Sequence, residues 1–268
     1  MGRAERALIF FLCVCIALVG FLTIQSRGGA DAAGAQRAAA AASVPDAPEP
    51  GGQLVMDAAA SLHASATLVT STRPAPLRDL SVIRGRISGG SRGTYVAHLL
   101  LNNDSLLSRW PERYQTPVKV WIQSNSDLPG WSGEVTSLMR RALGAWHSIH
   151  VPVRFEFVSD SAAAEVVVNW STPFSGSQVG ATRRYRDQHG WIVRAEISIA
   201  LRISDGQPID KKYLSAVMIH EVGHALGLDH SPHSTDVMAP RTSTVFEPTG
   251  QDQATLALIY SIPPGSLK

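Results

Sequence analysis

His220-Glu221-Val222-Gly223-His224-Ala225-Leu226-Gly227-Leu228-Asp229-His230 decides how the rest of the chain is read. On a helix, His220 and His224 stand one turn apart on a single face, so both imidazoles can bind one metal ion. Glu221 is displaced around the helix from that face, which suits it to act as a base beside the metal rather than as a ligand. Gly227 can take the left-handed conformation that ends a helix. The turn that follows returns His230 as a third ligand. Three neutral nitrogen ligands leave the fourth tetrahedral position of a zinc ion open, the mark of a catalytic zinc rather than a structural one. A core helix with satisfied histidines is the competing explanation. It suits one histidine on an apolar face, not three with a Glu and a Gly at these spacings. At about 5% per fixed position, the bare His-Glu-x-x-His core arises by chance in about 3% of chains this long. Adding Gly227, His230 and Met238 lowers that to about one in several hundred thousand.

These residues resemble the metzincin signature His-Glu-x-x-His-x-x-Gly-x-x-His with its Met-turn, here Asp236-Val237-Met238-Ala239-Pro240. Ser231 after the third histidine, and the step from His230 to Met238, resemble the matrixins, the matrix-metalloproteinase-like group. Arg109-Trp110-Pro111 ahead of Val118-Lys119-Val120-Trp121-Ile122 resembles the start of a matrixin catalytic domain, and residues 252–260 resemble its last helix. The resemblance covers residues 104–268. It implies an α/β (α+β) zincin fold: a mixed twisted sheet, an active-site helix, the Met-turn and a C-terminal helix. It also implies a zinc metalloendopeptidase with one catalytic Zn2+ on His220, His224 and His230. Glu221 would be the general base and Met238 a hydrophobic floor under the ligands. A protein or peptide substrate would add as an extra strand to a sheet edge. By resemblance that edge is residues 179–185, with the backbone of Gly180 and Ala181 bonding to the peptide. Two other classes remain: a non-proteolytic zinc-binding envelope module, in which Glu221 has no use, and a zinc hydrolase of a non-peptide amide.

The chain departs from animal matrixins in two ways, and structural calcium is left open. They cap the zinc with a propeptide cysteine; here Cys13 and Cys15 are the only cysteines and both lie in the N-terminal apolar run. They hold a second zinc in a His-rich loop, where this chain offers only His189. Structural Ca2+ has no clear motif: Asp160, Asp187 and Asp205 are isolated acids. His63, His98, His147, His150 and His189 lack ligand spacing to the motif, and His233, after the turn, is a secondary ligand candidate.

A formal charge of +2 gives no reason to expect nucleic acid as a partner. Arg3 and Arg6 precede a charge-free, largely apolar run over residues 7–24. Eighteen helical residues span about 27 Å, just short of a hydrocarbon core of about 30 Å. Residues 1–27 read as an uncleaved signal anchor, or as a signal peptide cut near Ala32 or Ala35. Either places the rest of the chain outside the cytoplasm, anchored facing outward or secreted. The exported part has no cysteine after Cys15 and relies on its core and bound ions. Residues 28–52 form an Ala/Pro/Gly-rich linker. Residues 53–103 are poorly defined: residues 80–87 suggest a short strand, the glycines at 85, 89, 90 and 93 suggest turns, and residues 95–101 form an apolar patch able to dock. The catalytic domain is expected over 104–268, acting as a monomer.

From Pro117 the pattern sharpens. Residues 118–123, 153–158 and 165–170 read as strands, and 132–147 as a helix with Val135, Leu138, Met139, Ala142, Leu143 and Trp146 on its core stripe. Residues 179–185 and 191–201 flank a hairpin turn at 186–190. Arg183, Arg184 and Arg186 read as a solvated basic stretch, or as a preference for acidic peptides. Asp210 is placed to cap the zinc helix, and Thr249 or Asp252 to start the last one.

Overall fold

The computed structural model describes residues 66–241 and 245–268. The anchor or signal (1–27), the linker (28–52) and the start of the 53–103 segment lie outside them. The described elements are β1 (Thr67–Leu68), α1 (Leu80–Gly90), α2 (Val96–Asn102), β2 (Leu106–Leu107), β3 (Arg113–Ile122), α3 (Gly133–Ala145), β4 (Val153–Phe157), β5 (Val166–Ser171), β6 (Gly180–Arg186), β7 (Ile192–Ala200), α4 (Lys211–Leu226), α5 (Gly250–Tyr260) and β8 (Gly265–Ser266). Six strands form one mixed sheet in the order β1-β6-β7-β5-β3-β4. β3, β4, β5 and β7 are parallel neighbours, β6 runs antiparallel to β7, and β1 pairs parallel with β6. β2 and β8 make a separate antiparallel pair.

The sequence explains the layers. Ala195, Ile197 and Ile199 of β7 are buried while Arg194, Glu196 and Ser198 between them are not, the period-2 pattern of a strand with one face on the core. β5 carries Val166, Val167 and Val168, all buried, as suits a central parallel strand covered on both sides. Helix α3 buries its expected stripe, and Trp146 at its end donates from Nε1 to the Ile219 carbonyl of α4 at 2.9 Å. Helix α4 is capped by Asp210, which accepts from the Lys212 and Tyr213 amides. From Ala216 to Leu226 every residue of α4 is buried. Such a helix is apolar or paired all round and lies inside the domain rather than on it. Thr249 and Asp252 form a reciprocal capping box at the start of α5.

The segment before residue 104 differs from its expected reading. Residues 80–90 are helical, because Asp79 accepts from the Ser81 and Val82 amides and starts a helix despite three glycines. The apolar patch docks through α2: Tyr95, Val96 and Leu99 are buried, and the Tyr95 hydroxyl donates to Asp252 at 3.1 Å. Arg78, Arg84 and Arg86 donate to the carbonyls of Ser266, Leu267 and Ser261.

Candidate active site

Helix α4 and the turn after it bring three imidazoles together. The ring centroids of His220, His224 and His230 lie 4.7 to 5.3 Å apart. One nitrogen from each falls within 4.8 Å of the others, the one such His/Cys/Asp/Glu group found among the described residues. Gly227 makes the return possible. Its φ is +112°, and a Cβ there would stand 2.5 Å from the Ser108 carbonyl oxygen, so both backbone shape and space require glycine.

Each helical histidine of the group is oriented from behind. His220 Nδ1 lies 2.7 Å from the Val237 carbonyl and His224 Nδ1 lies 2.9 Å from the Leu228 carbonyl. An Nδ1–H donated to a carbonyl fixes the tautomer and leaves the Nε2 lone pair available to a metal. Among the described residues, no hydrogen-bond partner meets the buried Nε2 atoms of His220 and His224 or Glu221 Oε1. Buried polar atoms are seldom left that way. A cation at the centre of the imidazoles would satisfy the two nitrogens, so the donor set fits zinc.

Electrostatics agree with that chemistry. Burial, with His230 nearby, depresses the His220 pKa to about 3, and burial beside His220 and His230 holds His224 well below its ordinary value. Both rings are therefore neutral at physiological pH, as metal binding demands. Burial lifts the Glu221 pKa to about 8 against the opposing Thr182 hydrogen bond. These shifts predict the pH profile of the zinc-free protein. From pH 6.5 down to about 3 the unfolded chain binds a proton at His220 that the native one refuses, so acid destabilises; His224 acts in the same direction. From pH 4.5 up to about 8 the native chain keeps a proton on Glu221 that the unfolded one releases, so base destabilises. Two histidines outweigh one Glu below 6.5, and Glu221 acts alone above it, so stability should peak near pH 6.5. The slopes are about 1.4 kcal/mol per pH unit per net proton. Urea unfolding of the zinc-free protein across that range is the check, and a stability still climbing at pH 8 would contradict the Glu221 shift.

The turn Asp236-Val237-Met238-Ala239-Pro240 passes beneath the helix. Met238 is fully buried, and a Cβ on Gly223 would stand 2.3 Å from its Sδ and 2.8 Å from Trp146 Cζ2. Gly223 is thus the notch in which the methionine sits, between the two helical histidines. The turn is held by polar groups: Ser231 Oγ donates to Asp236 at 2.5 Å, Thr249 Oγ1 to Asp236 at 2.6 Å, and the Val237 amide to Asp252 at 3.0 Å. Through Val237, α5 therefore sets the orientation of His220.

Strand β6 contributes residues that the motif does not announce. Thr182 donates to Glu221 Oε2 at 2.6 Å. Arg184, read from sequence as solvated, is buried instead. It reaches the Leu228 carbonyl at 3.3 Å and Asp229 at 2.6 Å, tying the strand to the turn between His224 and His230. Arg183 is exposed and Arg186 half-buried. The signal was available: in a strand, positions 180, 182 and 184 share one face, and the glycine at 180 marks it as crowded. The Val179 carbonyl accepts from the Ala200 amide. Alternation then turns the backbone groups of Ala181 toward β7 and those of Gly180 and Thr182 toward the open edge. Among the described residues, β1 pairs with that edge at Tyr185 and Arg186.

His233 is exposed and stands outside the three-histidine group. Asp160, Asp187 and Asp205 each accept from the amide two residues on, the geometry of loop formers.

A three-histidine group on a buried helix and the turn after it, with a mixed sheet in which β6 runs antiparallel to β7, fits the mixed α/β metzincin fold. The Peptidase_M10 model, described as matrixin, matches residues 115–261, more than half of the chain. Metalloendoproteinase 1-MMP of Arabidopsis thaliana is 27% identical over 173 residues, covering 55% of this chain and 45% of its own length. The chain thus spans about half the length of the curated relative it matches. It belongs to the matrixin family.

Proposed function

We propose that the chain is a zinc-dependent endopeptidase whose metal is held by His220, His224 and His230 and whose general base is Glu221. The observation that carries this reading is the three-histidine group, with a buried Glu221 next to its first member whose Oε1 meets no partner among the described residues. When bound, zinc supplies a Lewis acid that polarises the scissile carbonyl and brings the pKa of water toward about 7. Glu221 is kept off the ligand set by its place on the helix. It takes the proton of the attacking water and returns it to the leaving amine. A buried carboxyl near 8 without metal falls when a dication sits beside it, which tunes it toward neutrality. Met238 gives the three ligands a packed apolar floor. The edge of β6 around Gly180 faces away from β7 and would take an extended peptide as a further strand in exchange for the Gln178 side chain that holds the Gly180 carbonyl, with Ala181 alongside. Export is part of the same proposal, carried by Arg3, Arg6 and the apolar run 7–24. Among the described residues no helix is long and apolar enough to cross a membrane.

Cleavage of casein or a quenched peptide, with and without chelator, tests the reading. Activity lost to chelator and restored by zinc is the expected result. Zinc retained at one per chain with no peptide cleaved would overturn the endopeptidase assignment and leave a zinc-binding module or a hydrolase of another amide.

A further inference from the structure

We propose that Thr182 is the positioning residue for the catalytic base: its hydroxyl fixes one oxygen of the Glu221 carboxylate so that the other is presented to the three-histidine centre. The inference rests on the endopeptidase reading and deepens it. Glu221 is 1% exposed, and its two oxygens are treated differently by their surroundings. Oε2 accepts from Thr182 Oγ1 at 2.6 Å, while Oε1 has no hydrogen-bond partner. The Thr182 hydroxyl has one proton and also lies 3.1 Å from the Glu221 main-chain carbonyl. The shorter contact makes the side-chain carboxyl its principal acceptor.

The same strand face is moulded to the carboxylate in a second way. Gly180 stands two residues before Thr182. A Cβ there would meet Glu221 Oε1 at 2.5 Å, Glu221 Cγ at 2.8 Å and Val217 Cγ1 at 2.8 Å. Position 180 therefore leaves no room for a side chain, and position 182 supplies the one donor aimed at the acid. Space at one position and a donor at the next inward one confine a side chain that otherwise has three free torsions. A base must lie within hydrogen-bond reach of the proton it removes, and small misplacements are costly in rate. Holding Oε2 while leaving Oε1 open meets that need without consuming the oxygen that does the work.

The test compares Thr182→Val, which keeps shape and β-branching but removes the donor, with Thr182→Ser, which keeps the donor. Thr182→Val should retain one zinc per chain. Its kcat should fall about 10- to 150-fold, the range of a hydrogen bond to a charged group, with KM within about twofold of wild type. Thr182→Ser should recover most of the loss, and Thr182→Ala repeats the comparison should the valine variant not fold. A separate readout needs no metal. In the zinc-free protein the Thr182 hydroxyl proton should be visible by NMR as a slowly exchanging resonance and should vanish in Glu221→Ala. A Thr182→Val enzyme with wild-type kcat, a serine variant as impaired as the valine one, or a hydroxyl proton indifferent to Glu221→Ala overturns the proposal. If wild-type protein cleaves no peptide, the endopeptidase reading fails while the NMR result still decides the Thr182–Glu221 bond.

Discussion

Glu221→Gln should keep one zinc per chain and lose about 10²- to 10⁴-fold in turnover, the contribution typical of a positioned acid–base group. Two observations set this expectation. The group that could hold the metal is His220, His224 and His230, so removing the carboxylate charge removes no member of it. Glutamine has the same shape and retains a carbonyl oxygen, so the hydrogen bond from Thr182 and the tight fit against Gly180 survive. Only basicity is lost, since an amide cannot accept the proton of an attacking water at neutral pH. KM should move far less than kcat, because the group acts in the transition state and not in ground-state binding. Metal analysis and steady-state kinetics on the same preparation decide the matter. Wild-type turnover would remove Glu221 as the base, and loss of zinc as complete as in His224→Ala would make it a ligand.

The centre was legible in sequence because its chemistry is local. Two ligands one turn apart, a helix-ending glycine and a third ligand three residues later need no knowledge of the rest of the fold. The helix cap at Asp210, the stripe of α3 and the hairpin turn between β6 and β7 are local signals too, and each stands where its pattern put it. What failed to show depends on partners distant in sequence. Thr182 acquires meaning only when β6 lies against α4, and Arg184 only when Asp229 and the Leu228 carbonyl come within reach. Three arginines within four residues look like a wetted strand until the face of the strand is known. The glycines at 85, 89, 90 and 93 suggested turns; Gly93 does lie in one, yet one well-placed Asp79 and the docking of Ile83 and Tyr95 gave helix at the other three. Pairings of two residues, such as β1 with β6 and β2 with β8, carry no sequence pattern at all.

The two arginines side by side on β6 should behave in opposite ways toward zinc. Arg183 points outward and is exposed, whereas the Arg184 side chain is only 4% exposed and bonds to the turn that carries His230. Arg184→Met removes the donors that hold the Leu228 carbonyl and Asp229. The Leu228 carbonyl is also the acceptor for His224 Nδ1, so one substitution loosens the orientation of two ligands. Loss of such an outer partner costs about 10- to 100-fold in metal affinity, and His230→Ala, which removes a ligand outright, should cost more. Arg184→Met should also destabilise the fold by about 3 kcal/mol, because Asp229 loses the cation of a largely buried pair. Asn103, which also donates to Asp229, tempers that cost. Arg183→Met should leave both zinc affinity and stability within error of wild type. Competition of each variant against a fluorescent zinc chelator, at a temperature where all are folded, ranks them. Equal zinc affinity for Arg183→Met and Arg184→Met would mean that the turn keeps its ligands in place without the strand, and that Arg184 serves stability alone.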